Sequence, residues 1–162
     1  LMPKEVQIDP KQVVVGLLVI KELVADPAQV EAILLVDDES DIRKPISLTL
    51  QKAGFEVVEA NNGEEAIRLL NAGDNPLMVD AIICDIRMPR VNGSEAIAYF
   101  RSQYPTVPVL VLTGYPDIEL AVSFLKQGVV DYLVKPVPRE ELLGVVRKAV
   151  DQHVILKDQF VT

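Results

Sequence analysis

The chain has 162 residues, of which 49% are hydrophobic and 25% charged; that suffices for about one domain with a real core and is too apolar for a disordered segment. Its 24 acids against 16 lysines and arginines give a net charge of −8 and a pI near 4.7, which argues against direct nucleic-acid binding and against docking on anionic lipid. Cys84 is the single cysteine, so no internal disulfide can form, and a reducing, cytoplasmic setting is the expectation.

Residues 1–31 stand apart from the rest of the chain. Their most apolar stretch, "VVVGLLVI" at 13–20, is eight residues long and cannot cross roughly 30 Å of hydrocarbon. Lys4 and Lys11 before it are mixed with Glu5 and Asp9, which does not suit a signal peptide. Asp9 fits an N-cap, Pro10 a first helical position and Asp26-Pro27 a stop, so the segment predicts a helix from about 10 to 25. Its Val and Leu-Ile runs fit a strand as well. A helix apolar over most of its circumference must be buried, either on its own domain, as a dimerisation or docking element, or as the tail of a preceding domain.

From residue 32 the pattern turns regular. Strand-like runs occur at 32–37, 55–60, 80–85, 107–113 and 131–134, with helix-like segments near 41–52, 63–71, 93–103 and 117–127 between them. Gly54, Gly73 and Gly128 are placed to close three helices in the left-handed conformation. With Ser40 or Asp41 as cap, Pro45 falls at the end of the first turn, where a missing N–H does least harm. A last helix starts after Pro138 at "REELLGVVRKAV". Leu142, Val146, Ala149, His153, Leu156 and Phe160 continue it at 4-3-4-3-4 spacing, which predicts a coiled-coil seam past residue 150. His153 is then a helix-surface residue, and Cys84 a small core residue. Strand and helix alternating five times predict a doubly wound α/β domain, with a parallel sheet covered on both faces.

In such sheets ligands bind beyond the carboxyl ends of the strands, at the crevice where strand order reverses. The first strand delivers Asp37 and Asp38 there, the third Asp85, the fourth Thr113 and the fifth Lys135. Each pair of like charges a few ångströms apart costs about 4 kcal/mol at an effective dielectric near 20. A divalent cation would remove that cost, and an all-oxygen donor set without His or Cys favours Mg²⁺. Mg²⁺ with a lysine and a hydroxyl is a set that clamps a phosphoryl group, with Asp85 as the natural nucleophile. Glu39 has two readings: it helps to balance the metal site, or it is a turn residue at a helix start that needs no special role.

"LLVDDE", "CDIRMPRVNG", "VLVLTGY" and "DYLVKP", in this order, resemble the receiver domain of bacterial two-component response regulators over about residues 32–150. The resemblance implies a flavodoxin-like (βα)5 fold with strand order 2-1-3-4-5, here with an extra N-terminal helix. It divides the chain into an extension (1–31), a receiver domain (32–150) and a C-terminal helical tail (151–162). It implies Asp85 as phosphoacceptor, Asp38 as a direct Mg²⁺ ligand, Asp37 acting mainly through water, and the Arg87 backbone carbonyl as a further ligand. Thr113 and Lys135 would hold the phosphoryl oxygens, the Lys135–Pro136 bond would be cis, and Tyr132 would move inward with Thr113. The phosphoryl donor would be a sensor histidine kinase or a phosphotransfer protein. The N-terminal helix, the 117–150 face and the C-terminal helix are the candidate surfaces for a homodimer. Arg87 and Tyr115 flank the site and would shield the acyl phosphate from water.

The competing reading is a Mg²⁺-dependent phosphatase or phosphotransferase with an aspartyl nucleophile. Such enzymes place a second acid two residues after the nucleophile, and that position is Arg87 here. The expectation is a signalling phosphoacceptor and not an enzyme, with its output in a partner, in dimerisation or in a domain missing from this chain; the alternative is a receiver fragment of a larger regulator or hybrid kinase.

Overall fold

A computed structural model describes residues 30–72, 79–86 and 93–161, with side chains through His153. The helix expected over 10–25, the left-handed Gly73 and the Arg87 carbonyl lie outside the described residues. Five strands, β1 (Ala32–Val36), β2 (Glu56–Ala60), β3 (Val79–Asp85), β4 (Val109–Thr113) and β5 (Asp131–Val134), form one parallel sheet ordered β2-β1-β3-β4-β5. Five helices alternate with them: α1 (Ser40–Lys52), α2 (Gly63–Leu70), α3 (Gly93–Gln103), α4 (Ile118–Lys126) and α5 (Arg139–Val161). Among the described residues no helix is long and apolar enough to cross a membrane.

The period-2 alternation of strand side chains splits the core in two. Leu34, Val36, Ile82, Cys84, Val109 and Val111 pack with Ala66 and Leu70 of α2, Ala96, Ile97 and Phe100 of α3, and Phe124 of α4. On the opposite face Ile33, Leu35, Ala81, Ile83, Leu110 and Leu112 meet Leu50 of α1 and Leu142, Val146, Ala149 and Val150 of α5. β1, β3 and β4 are buried throughout, as expected for strands covered on both sides. Asn62 and Asp117 cap α2 and α4 by accepting from the Glu65 and Leu120 N–H groups. Gly54 and Gly128 take φ of +101° and +98°, as the sequence predicts for residues that end helices.

Three expectations need correction. The cap of α1 is Glu39, not Ser40 or Asp41, and its side chain makes no capping bond. Pro45 therefore stands in the second turn, where the Asp41 carbonyl loses its usual partner. The seam expected on α5 is not free to join another helix in its first half, since Leu142, Val146 and Ala149 are core residues of this sheet. His153, placed on the surface by the sequence reading, is 5% exposed, with Nδ1 3.1 Å from Asp80 Oδ1.

The cause is a bulge. β1–β3 pairing passes from Ala32↔Val79 to Ile33↔Ala81, skipping Asp80. The skipped residue supplies its carboxylate instead, and Asp80 Oδ2 accepts the Ala32 N–H at 2.9 Å. A stripe facing its own sheet and a coiled-coil seam have the same spacing, so periodicity alone does not separate them.

Candidate functional site

At the carboxyl edge of the sheet the order reverses between β1 and β3, and their last residues lead into the site. Asp37 directly follows β1 and is fully buried; Asp85 ends β3 and is 3% exposed. Lys135 follows β5 and reaches across, donating from Nζ to Asp37 Oδ2 at 2.7 Å and to Asp85 Oδ2 at 2.9 Å. Burial of the ammonium works against its charge, but the hydrogen bonds and charges of the two aspartates outweigh it and hold Lys135 above the usual lysine range. The Lys135–Pro136 bond is cis, as the resemblance implied.

Asp38 and Glu39 lie on the solvent side of this buried pair. Carboxylate oxygens of Asp37, Asp38, Glu39 and Asp85 all come within 4.8 Å of one another. Four carboxylates against one ammonium leave an excess of three formal negative charges among these five side chains. The three acids expected from the sequence are together, and Glu39 joins them, in line with the first of its two readings. The N–H of Glu39 closes a turn on Asp37 Oδ1 at 2.9 Å, and that turn brings its side chain to the cluster.

The donor set fits Mg²⁺. Oxygens around an octahedral ion with bonds near 2.1 Å are separated by about 3.0 to 4.2 Å. The cluster is slightly wider, so some of these carboxylates would act through water, as Mg²⁺ readily allows. An open depression of about 440 Å³ lies beside the cluster, lined by Glu39, Ile42, Asp85, Gly114, Tyr115, Lys135 and Pro136.

Thr113 ends β4, next to β3, and is fully buried. Its Oγ1 accepts the Tyr115 N–H at 3.0 Å and lies 3.4 Å from the Tyr115 carbonyl oxygen, so a local turn holds the hydroxyl. Tyr115 is 61% exposed at the rim of the depression. Tyr132 on β5 is half-buried, and its hydroxyl accepts the Asp117 N–H at the start of α4 at 3.4 Å. Cys84, immediately before Asp85, is buried, and burial together with the Asp85 and Asp37 charges pushes its thiol well up.

Gly93, the first residue of α3, is held close behind the site. A Cβ there would stand 2.1 Å from Ile86 Cα and 2.5 Å from the Asp85 carbonyl oxygen, so only glycine fits. Arg43 was not singled out from the sequence. It is 6% exposed, and its Nη1 donates to the Asp37 carbonyl at 2.6 Å and to Asn61 Oδ1 at 2.9 Å. Its Nε pairs with Glu59 Oε1 at 2.8 Å. Burial raises the Glu59 carboxyl, but bonds from Arg43 and Lys44 prevail and hold it low. The available signal was its place one turn before Ser47 and two before Leu50, on the inward face of α1.

Comparison with known proteins agrees with this geometry. Residues 33–147 match the family model described as the response regulator receiver domain. The regulatory protein AtoC of Escherichia coli is 36% identical over 129 residues, covering 80% of this chain and 27% of that protein. The DNA-binding transcriptional regulator NtrC of Escherichia coli is 34% identical over 119 residues, 74% of this chain and 24% of that one. The chain thus spans about a quarter of the length of the curated relatives it matches. Among solved structures, a response regulator receiver domain protein from Clostridium thermocellum superposes with a TM-score of 0.72 at 31% identity, covering 78% of this chain and 98% of that one. The chemotaxis protein CheY4 of Vibrio cholerae gives a TM-score of 0.67 at 35% identity, with 74% and 98% covered. The chain belongs to the response regulator receiver domain family of two-component systems.

Proposed function

We propose that Asp85 is the phosphoacceptor of this receiver domain. The observation that carries the reading is the Lys135 ammonium held at 2.7 and 2.9 Å between Asp37 and Asp85 in a four-carboxylate cluster. A carboxylate oxygen of Asp85 attacks the phosphorus of a phosphohistidine on a partner histidine kinase or phosphotransfer protein. The P–N bond breaks, a P–O bond forms, and the departing imidazole takes up a proton. Asp38, Asp85 and the Arg87 carbonyl would hold Mg²⁺ directly and Asp37 mainly through water. Bound there, the ion would neutralise charge on the phosphoryl oxygens.

Lys135 shifts from Asp85 to a phosphoryl oxygen while keeping Asp37. Thr113 leaves its turn with Tyr115 to hydrogen-bond another phosphoryl oxygen, and Tyr132 leaves the Asp117 N–H and follows inward. Because Asp117 caps α4, that step loosens the start of α4 and couples the site to the domain surface. Tyr115 at the rim, with Arg87, shields the acyl phosphate. The match over 33–147 supports a receiver domain of about 32–150, with 1–31 and 151–162 as flanking segments. The quarter-length coverage of AtoC and NtrC supports a second reading for the output: this chain is the receiver part of a longer cytoplasmic regulator. A homodimer would use the N-terminal segment, the 117–150 face or the C-terminal helix.

Incubation with acetyl phosphate and Mg²⁺, followed by intact-mass measurement, tests the proposal. One phosphoryl group should be gained by the wild type and none by Asp85→Asn or with the cation chelated. An undiminished gain in Asp85→Asn would refute it.

A further inference from the structure

A buried guanidinium must be paired, and Arg43 has enough partners for that in Glu59 and Asn61, both at the end of β2. Its third bond is surplus to that need and goes elsewhere. It reaches 2.6 Å to the carbonyl of Asp37, the peptide group that joins Asp37 to Asp38. This carbonyl lies past the end of β1, beyond the ladder that serves the strand's other carbonyls. The neighbouring groups are fixed too. Asp37 N–H donates to the Ala60 carbonyl at 3.1 Å, Oδ1 accepts the Glu39 N–H and Oδ2 accepts Lys135. Arg43 supplies the remaining tie, and with it the peptide plane from which the Asp38 side chain departs is set.

We infer that Arg43 is a positioning residue for the cation site: by clamping the Asp37–Asp38 peptide it aims the Asp38 and Glu39 carboxylates into the cluster. The inference rests on the proposed Mg²⁺ site and deepens it. Groups that orient a metal's ligands commonly matter ten- to a hundredfold in affinity. The sign of the effect separates this role from plain electrostatics. A guanidinium near a cation site repels the cation, so its removal alone would tighten binding. Loss of a positioning bond weakens it.

The test is titration of the full chain with MgCl₂ by calorimetry, together with amide exchange by NMR on the metal-free protein. Arg43→Met should weaken Mg²⁺ binding roughly tenfold or more. It should also speed exchange of the Glu39 N–H, which closes the turn on Asp37. Arg43→Lys keeps the charge but not the fork, cannot serve Glu59, Asn61 and Asp37 together, and should fall between; it remains informative if Arg43→Met does not fold. Glu59→Gln removes the ion pair, lowers stability, and should leave Mg²⁺ affinity near that of the wild type. Unchanged or tighter binding in a folded Arg43 variant would overturn the inference. So would an equal loss in Glu59→Gln, because support of the fold would then explain everything. A wild type that binds no Mg²⁺ overturns the metal reading itself, and that shows before any variant is compared.

Discussion

β3 carries an acid near each end, and both are buried: Asp80 is 6% exposed and Asp85 3%. At the amino end the Asp80 carboxylate takes the place of a skipped ladder partner, accepting the Ala32 N–H and meeting His153. At the carboxyl end Asp85 meets Lys135 but also stands with three further carboxylates beside an open depression. The first arrangement ties Asp80 to a strand N–H and a ring nitrogen and closes a bulge between β1, β3 and α5. Among the described residues the second gathers four carboxylates around one lysine. Burial of an acid is therefore no mark of function by itself; an excess of like charge next to open space is.

Three variants would break or sharpen that contrast. The largest effect is expected for Gly93→Ala, where the new Cβ would collide with the Ile86 and Asp85 backbone. Relief requires the backbone to move, at about 2–3 kcal/mol of stability by urea unfolding, with a parallel loss of phosphoryl uptake as Asp85 is displaced. Next, Asp80→Ala strands the buried Ala32 N–H and the His153 ring, at a cost of about 1–3 kcal/mol. Phosphoryl uptake by the folded protein should not change, since this acid belongs to the closed end. Loss of uptake in folded Asp80→Ala would show the two ends to be coupled and the contrast to be false.

The smallest effect concerns Lys135. Its folded-state pKa lies above the ordinary 10.5, so its contribution to stability is fully present below that value. The contribution is lost as pH climbs through the raised folded-state value. Thermal melts should show this component constant from neutral pH to about 10 and declining only in stronger alkali. In Asp37→Asn the alkaline decline should shrink, because half of the lysine's carboxylate bridge is gone. An alkaline decline of undiminished size would mean that Asp37 is not the partner that holds the charge.

Much of the fold and the site was legible in the sequence, for reasons that also mark where legibility stops. The strands show because buried parallel strands are short apolar runs, and the site shows because Asp37, Asp38, Asp85, Thr113 and Lys135 all fall where such runs end. Those are local signals. Asp80 and His153 are 73 positions apart and meet only because β3 bulges and α5 crosses the same face. Arg43 on an amphipathic helix reads like any other surface cation until Glu59 and the Asp37 carbonyl are placed beside it. Glu39 offered no capping pattern to read, since its side chain makes no cap bond and its own N–H turns back on Asp37.

Chemistry at one end of β3 and structure at the other is the central claim. Borohydride reduction of the acetyl phosphate-treated protein, followed by peptide mapping, tests it most directly, because reduction converts an aspartyl phosphate to homoserine. Homoserine is expected at position 85, with Asp80, Asp37 and Asp38 unmodified. Homoserine at any of those three with Asp85 intact would contradict the claim.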